Sequence, residues 1–308
     1  MRHLHFLVNS QAGRGRAQAA WLEVKLYLTS RGYSMVSGGY SAHSASRSME
    51  SREYSVSDAV DSTFDFSQLP RNSILVALGG DGSIHYAATT AVTHGFTLGI
   101  IPAGTGNDFA SALGIPPEPL QALQTILSGQ TRMVDVIKAN NQFIFNAGGF
   151  GLDASVVHFI EANPWLKRRG SLGYSLSLPI VLGRFQPFSM TLRGERQEQR
   201  FKKVSLVAVT NGPSFGGGMK LVPTANLFDG RIEVCVVDEL PKPELLRVFP
   251  RIFKGTHVTH PCVHIYQGER FEVEFARKRN YGQYDGEPIE TTERVNIEVM
   301  PRQLQILL

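Results

Sequence analysis

LVALGGDGSIHY, residues 75–86, decides how this chain is read. An apolar, β-like run from Ile74 to Leu78 breaks into glycines and then into a helix start. Chains build phosphate cradles in this way, because glycines let backbone N–H groups approach an anion while the new helix aims its positive dipole end at it. Yet Asp81 puts a negative charge in the middle. Such a charge suits phosphates if it binds Mg²⁺, directly or through water, or accepts a hydrogen bond from a ribose or an amide. The plainer alternative is a tight strand-to-helix turn with Asp81 near the N-cap.

This is neither of the familiar phosphate loops. It lacks a Gly-Lys-Ser/Thr ending, and Ser83, Ile84 and His85 follow Gly82, so the third glycine of the dinucleotide fingerprint is missing. Two further loops change its weight. The strand-like LGIIP leads into AGTGNDF, residues 103–109, another glycine turn with a hydroxyl and an Asn/Asp pair opening a helix. NSQAGRGR, residues 9–16, follows the first strand and adds the guanidiniums of Arg14 and Arg16, which suit phosphate. The carboxyl edges of parallel strands form the ligand crevice of such sheets, so three glycine loops on one edge argue for a nucleotide.

Working outward, LHFLV, ILVAL and TLGIIP read as strands alternating with helices: AQAAWLEVKLYLTSRG with Trp21, Val24, Leu26 and Leu28 toward its core side and Gly32 at its end, IHYAATTAVTHG, and the short NDFASALGI. That alternation predicts a parallel sheet with crossover helices. Residues 37–63 are serine-rich; they have room for one strand and one helix, but their composition is that of a loop and no element is placed there. From about residue 133 the pattern becomes strand after strand (VDVIKA, QFIFNAGG, FSMTLRG, FKKVSLVAVTN, RIEVCVV, HIYQG, FEVEFA, VNIEVM), interrupted by helical LDASVVHFIEAN and a segment around ELLRVFPRIFKG. We therefore expect an α/β domain with a parallel sheet over residues 1–132, rejoined by residues 296–308, and a mainly antiparallel β-sandwich domain over 133–295.

A length of 308 residues suits two domains, and no apolar run approaches the roughly 20 residues of a membrane span. The N-terminus has no signal-peptide core, so a cytoplasmic location is expected. Cys235 and Cys262 lack zinc-site spacing and read as buried free thiols. A net charge of +4 biases the chain toward anionic partners, and no nucleic-acid-binding signature is present. Lys167, Arg168 and Arg169 beside Trp165 suit a lipid headgroup region or, more plainly, a solvated loop.

Taken together, GGDGS (79–83), PAGTGNDFA (102–110), NAGGFGLDASV (146–156), the stretch from Asn211 through FGGGMKLVPTANLFDGRIEV, and DGE (285–287) resemble the diacylglycerol kinase catalytic-domain family, in its order and over nearly the whole chain. This family includes bacterial lipid kinases and sphingosine kinases and shares its nucleotide-binding fold with NAD kinases. The resemblance implies Mg²⁺- and ATP-dependent phosphorylation of a lipid hydroxyl, most directly that of diacylglycerol, at an anionic membrane surface. It assigns nucleotide binding to Gly79, Gly80, Asp81, Gly82, Ser83 and Thr105, with Asn9, Gly104 and Asn107 of the same three loops completing the set. Asp81 would serve the Mg²⁺ of the reaction and Glu287 would be the general base. A structural Mg²⁺ is implied at the side chain of Asp229 and the carbonyls of Asn226 and Arg231. The chain departs from the family pattern at Ser83, which keeps the usual hydroxyl, at His85 and Tyr86, where asparagine and glutamate are usual, and at Ser10, where proline is usual; Ser41 is the nearest substitute for a threonine that contacts the nucleoside.

Phosphoryl transfer asks mainly for alignment, charge neutralisation and orientation of the attacking hydroxyl, and a carboxylate suffices as base. Without the resemblance, DGEP is an ordinary hairpin turn. Acyl chains would need apolar walls, for which Phe150, Leu152, Val156, Phe159, Phe185, Phe188, Phe215 and Met219 are candidates, with Asn211 to Gly218 as a glycine-rich rim and Lys220 near the headgroup. Two rivals remain: an NAD kinase-like enzyme, disfavoured by DGE and the long antiparallel half, and a nonenzymatic nucleotide-binding membrane-surface module, suggested by His85 and Tyr86. A homodimer is left open by the sequence.

Overall fold

The structure, a computed structural model, describes residues 4–37, 48–53, 65–70, 72–167, 169, 171–195 and 197–308. Two compact units emerge: Met1–Val134 with Gln303–Leu308, and Asp135–Arg302.

The first unit runs β1 (Leu4–Val8), α1 (Arg16–Ser30), β2 (Ser34–Ser37), β3 (Ser48–Glu53), β4 (Ile74–Gly79), α2 (Asp81–His94), β5 (Thr97–Pro102), α3 (Asp108–Ala112) and α4 (Pro119–Ser128). Its sheet has the order β2-β3-β1-β4-β5 and every pair is parallel. Parallel strands covered by crossover helices read as unbroken apolar runs, and all of β4, ILVALG, is buried. On α1 the buried face is Ala17, Ala20, Trp21, Val24 and Leu28. Leu26 is 65% exposed, which corrects the expectation for it: two residues from Val24 is about 200° around the helix. Trp21 packs on Phe6 of β1 with ring centroids 5.1 Å apart. Three elements of this unit were not placed by the sequence reading, β2 being one of them. Helix α4 seats Ile126 against β5 where Gly99 has no side chain, and β3 forms from the polar SMESRE within the serine-rich stretch, whose remaining residues from 38 on, Ser41 among them, lie outside the described residues.

The second unit is antiparallel. After β6 (Thr131–Ala139), which begins in the first unit, come β7 (Gln142–Ile144), β8 (Ala147–Gly151), α5 (Leu152–Glu161), α6 (Pro164–Lys167), α7 (Ser171–Arg184), β9 (Phe188–Gly194), β10 (Glu198–Thr210), β11 (Ile232–Asp238), α8 (Lys242–Val248), β12 (Val263–Gly268), β13 (Arg270–Phe275), β14 (Asn280–Tyr284), β15 (Glu287–Thr291) and β16 (Arg294–Leu307). The end of β16 belongs to the first unit, where Ile306 lies opposite Leu98 in parallel. Strand β10 pairs with β9 through its first half and with β8 and β11 through its second, with register irregularities between Phe201 and Val204 and between Val204 and Leu206. Such irregularities bend a strand and let it pass from one sheet layer to another.

Alternation along β11 shows how the layers fill. Ile232, Val234 and Val236 enter a core shared with β9, β13 and β16, whereas Cys235 and Val237 enter a second core with Leu152 of α5, Leu178 and Leu182 of α7 and Leu245 of α8. The sheet is thus buried on both faces, one by strands and one by helices. Cys235 is buried and free as expected; Cys262, also free, is only half-buried. Among the described residues no helix is long and apolar enough to cross a membrane.

Candidate active site

In the first unit the three glycine loops touch backbone to backbone, and this explains their glycines. A Cβ on Gly13 would collide with the Ala103 carbonyl, one on Gly104 with the Gly80 Cα, and one on Gly106 would come within 2.6 Å of Asp81 Oδ2. The loops are also cross-tied. Asn9 donates from its backbone to the Leu78 carbonyl at 3.0 Å and from Nδ2 to Ser83 Oγ at 3.2 Å. The guanidinium of Arg16 donates to the carbonyls of Gly13 and Gly104, so it braces the first loop against the third. Asn107 closes the third loop on itself, its Oδ1 accepting the Gly104 amide at 2.8 Å.

Asp81 answers the question its charge posed. Its Oδ2 accepts the Asn107 amide and its Oδ1 the Asp108 amide, both at 2.8 Å. The carboxylate that opens α2 therefore caps the start of α3, where the first amides of a helix have no partner of their own. This is a capping role across two loops, 26 and 27 residues apart in sequence. Gly82 and Ser83 occupy the first turn of α2, so the loops gather two helix N-termini. Thr105 is exposed between them. Arg14 (φ 60°) and Asn107 (φ 56°) are held in the left-handed region, and Gly13 and Gly15 flank Arg14 in the same region. Non-glycine residues in that region mark concave backbone able to face an anion.

In the second unit, Asp285 and Gly286 form the two-residue loop of the β14–β15 hairpin, both with positive φ (50° and 89°), as a type I′ turn requires. The turn is more than an exposed loop. Asp285 accepts main-chain amides from Phe145 at 2.8 Å, Asn146 at 2.9 Å and Ala147 at 3.0 Å, and its own amide donates to the Ala147 carbonyl. Glu287, the next residue but one, is exposed at the start of β15 and cross-strand from Tyr284. Gln283 links this turn inward: Oε1 accepts the Gly286 amide at 2.8 Å, and Nε2 donates to Asp153 Oδ2 at 2.7 Å. Asp153 also accepts from the Tyr174 hydroxyl at 3.0 Å, and burial pushes its pKa up to about 6. Gln283, Asp153 and Asp285 as an anchor were missed from sequence; DGE pointed at the turn, but nothing local pointed to a partner more than 100 residues away.

Asp153 and Tyr174 stand in the wall of a mainly apolar cavity of about 80 Å³ between the helices and the β10–β11 face, with Leu178, Phe215, Met219 and Val237 among its lining. Of the eight candidate wall residues, Leu152, Phe215 and Met219 reach it. Phe150 and Phe188 belong to the strand-side core, and Val156, Phe159 and Phe185 to the helix-side core. The glycine-rich rim is a closed turn in which Phe215 and Met219 exchange backbone hydrogen bonds, with Gly216, Gly217 and Gly218 all at positive φ. Lys220 is exposed beside it. His257 also lines the cavity; Nε2 lies 2.9 Å from the Leu221 carbonyl, leaving Nδ1 without a partner among the described residues.

Asn226, Asp229 and Arg231 lie on one exposed loop before β11. Asn226 Oδ1 accepts the Phe228 amide at 3.2 Å and Asp229 Oδ1 accepts the Arg231 amide at 3.0 Å, two successive Asx turns. Buried Asp135 clasps the loop, accepting the amides of Gly230 and Arg302, each at 2.7 Å. Oxygen-only donors suit a hard cation. Nearby, Glu233 is buried with Oε2 lacking a partner among the described residues; burial raises its pKa, and the charge of Asp229 acts in the same direction. A cation at this loop would relieve both, so the donor set fits Mg²⁺, although no cluster of three or more His, Cys, Asp or Glu side chains exists among the described residues.

Glycine loops gathered on a parallel sheet, followed by an antiparallel unit carrying a clamped Asp-Gly-Glu turn, are the arrangement expected of a kinase of the lipid-phosphorylating class. Comparison with known proteins assigns the family. Residues 3–139 match the diacylglycerol kinase catalytic domain, and residues 147–308 match the YegS C-terminal NAD kinase beta sandwich-like domain. The chain belongs to this diacylglycerol kinase family and is a lipid kinase. It is 30% identical to the diacylglycerol kinase of Bacillus subtilis (strain 168) over 221 residues, 69% of this chain and 72% of that one. It is 29% identical over 238 residues to a Shewanella frigidimarina (strain NCIMB 400) protein named "Probable lipid kinase YegS-like", covering 75% and 74% of the two chains. A crystal structure of a diacylglycerol kinase from Bacillus anthracis str. Sterne shares the fold, with TM-score 0.69, 19% identity, and 99% of this chain and 96% of that one covered.

Proposed function

We propose that this lipid kinase transfers the γ-phosphoryl group of ATP to the hydroxyl of diacylglycerol, with Glu287 as general base. The observation that carries the assignment is the Asp285 clamp. Three main-chain amides hold the turn so that Glu287 leaves it with a fixed backbone direction while its carboxylate remains in water, available to a proton. In the step, Glu287 takes the lipid hydroxyl proton, the hydroxyl oxygen bonds to the γ-phosphorus, and the bond from that phosphorus to the bridging oxygen breaks to release ADP. The loops carrying Asn9, Gly79 to Ser83, Gly104, Thr105 and Asn107 frame the triphosphate, with the amides of Gly80 and Gly82 and the hydroxyls of Ser83 and Thr105 as its donors, while the amides of Asn9, Gly104 and Asn107 tie the loops to one another. Asp81 fixes α3 to α2, and it would hold the Mg²⁺ that accompanies ATP, which would supply charge neutralisation on the phosphates. Asn226, Asp229 and Arg231 would hold a second, structural Mg²⁺.

A lipid acceptor is supported by the cavity beside Asp153, most of whose walls are leucine, valine, phenylalanine and methionine, with Asp153, Tyr174 and His257 the polar exceptions. A pyridine nucleotide would require polar partners in place of most of these side chains. The test is transfer of labelled phosphate from ATP to a panel comprising diacylglycerol, ceramide, a sphingoid base, phosphatidylglycerol and NAD. Labelling of NAD or of no lipid would overturn the proposal.

A further inference from the structure

Helix α7 is apolar on the wrong side as well as the right one. Leu178, Val181 and Leu182 are buried, and Tyr174 and Leu178 line the cavity. The opposite side repeats every fourth residue with Leu172 (68% exposed), Leu176 (48%) and Ile180 (48%), with exposed Pro179 beside them. A surface helix normally turns charged or polar residues outward, and one that is apolar all round is normally covered. Just before it, Trp165 is 54% exposed with the Arg169 guanidinium 5.3 Å from its ring centroid.

Along the chain, the charge flanking the stripe is one-sided. No Asp or Glu occurs between Glu161 and Glu195, while Lys167, Arg168 and Arg169 precede α7 and Arg184 ends it. Two copies meeting through this face would bring like charges together, whereas an anionic bilayer offers acyl chains for the leucines, an interfacial layer for the tryptophan and phosphates for the arginines.

We infer that the α6–α7 face, with Trp165, Leu172, Leu176 and Ile180 at its centre, is the surface by which the second unit docks onto an anionic membrane. The inference rests on the lipid-kinase reading for its purpose: α7 would lie with one side on the bilayer and the other lining the proposed acyl cavity. Docking is a binding property, and it can be measured apart from turnover.

The test is co-sedimentation of the full chain with vesicles of phosphatidylcholine alone or mixed with phosphatidylglycerol, together with tryptophan emission. The chain has two tryptophans, and Trp21 is buried, so a blue shift on adding vesicles reports Trp165. We expect binding and the shift with the mixed vesicles and little of either with phosphatidylcholine. The variant Leu172→Gln/Leu176→Gln/Ile180→Gln should partition about a hundredfold more weakly, since three partly exposed aliphatic side chains no longer enter lipid. Arg169→Glu/Arg184→Glu, at exposed positions that leave the cores untouched, should lose about tenfold or more, and only on anionic vesicles. The aliphatic variant should still phosphorylate a short-chain diacylglycerol dissolved as monomer at the wild-type rate. Wild-type binding without turnover of any lipid would support the docking face and overturn the acceptor assignment. Equal partitioning of wild type and both variants, an unshifted Trp165 emission, or a dimer that the aliphatic variant dissociates in the absence of vesicle binding would overturn the inference.

Discussion

Asp285 and Glu287 are two carboxylates two residues apart whose substitutions should separate cleanly into stability and chemistry. In Asp285→Asn the side chain keeps one acceptor oxygen where the wild type presents two to three amides at 2.8–3.0 Å. Even if that oxygen serves Asn146 and Ala147, the new NH₂ faces the Phe145 amide, donor against donor. One charge-assisted bond is lost, a buried amide is left unpaired, and the remaining two bonds lose their ionic character, a cost of about 2–3 kcal/mol. For a unit of this size that lowers the melting temperature by roughly 5–10 °C. Glu287→Gln, at an exposed position, should stay within about 0.5 kcal/mol of wild type. Urea unfolding followed by Trp165 emission in a Trp21→Phe background reads the second unit alone, because each unit contains one tryptophan. If Asp285→Asn costs less than about 0.5 kcal/mol, or Glu287→Gln costs as much as Asp285→Asn, the clamp reasoning is wrong.

Gly104→Ala places a methyl group against Gly80 Cα and 2.8 Å from Asn107 Oδ1, so ATP affinity should fall at least about tenfold while the second unit unfolds as before; unchanged affinity by calorimetry would contradict the loop packing. Asp153 gives a pH signature. Burial raises its pKa from 3.8 to about 6, so its contribution to stability is fully present below pH 3.8 and is lost as the pH rises through about 6. At about 1.4 kcal/mol per pH unit the loss is about 3 kcal/mol, and Asp153→Asn, denatured across the same series, should lack it. Gln283→Leu should lower the turnover number more than it changes the Michaelis constant for ATP, because it severs the tie between Asp153 and the Gly286 amide without touching the nucleotide loops; an unchanged turnover number would remove Gln283 as a positioning residue.

Much of this was legible because the relevant signals are local. Glycine loops between apolar runs announced β4–α2 and β5–α3, and Asp-Gly announced the β14–β15 turn. What the glycines do could not be read locally: Gly13, Gly80, Gly104 and Gly106 make room for neighbouring loops as well as for any ligand. The clasp of Asp135 on Gly230 and Arg302 spans 95 and 167 residues, and that of Gln283 on Asp153 spans 130, separations at which side-chain type carries no positional information. Helix α7 was missed because SLGYSLSLPIVLG alternates like a strand and contains Gly173 and Pro179, yet tertiary packing of Leu178 and Leu182 holds it as a helix. Strand β3 was missed for the opposite reason, since nothing in SMESRE favours a strand until β1 and β2 offer their edges.

The most direct measurement is the transfer of labelled phosphate from ATP to diacylglycerol in mixed micelles by wild type and Glu287→Gln, with ATP affinity determined for both. The account predicts that wild type makes phosphatidic acid, that the variant loses nearly all turnover, and that the two bind ATP equally. Robust turnover by Glu287→Gln would contradict it.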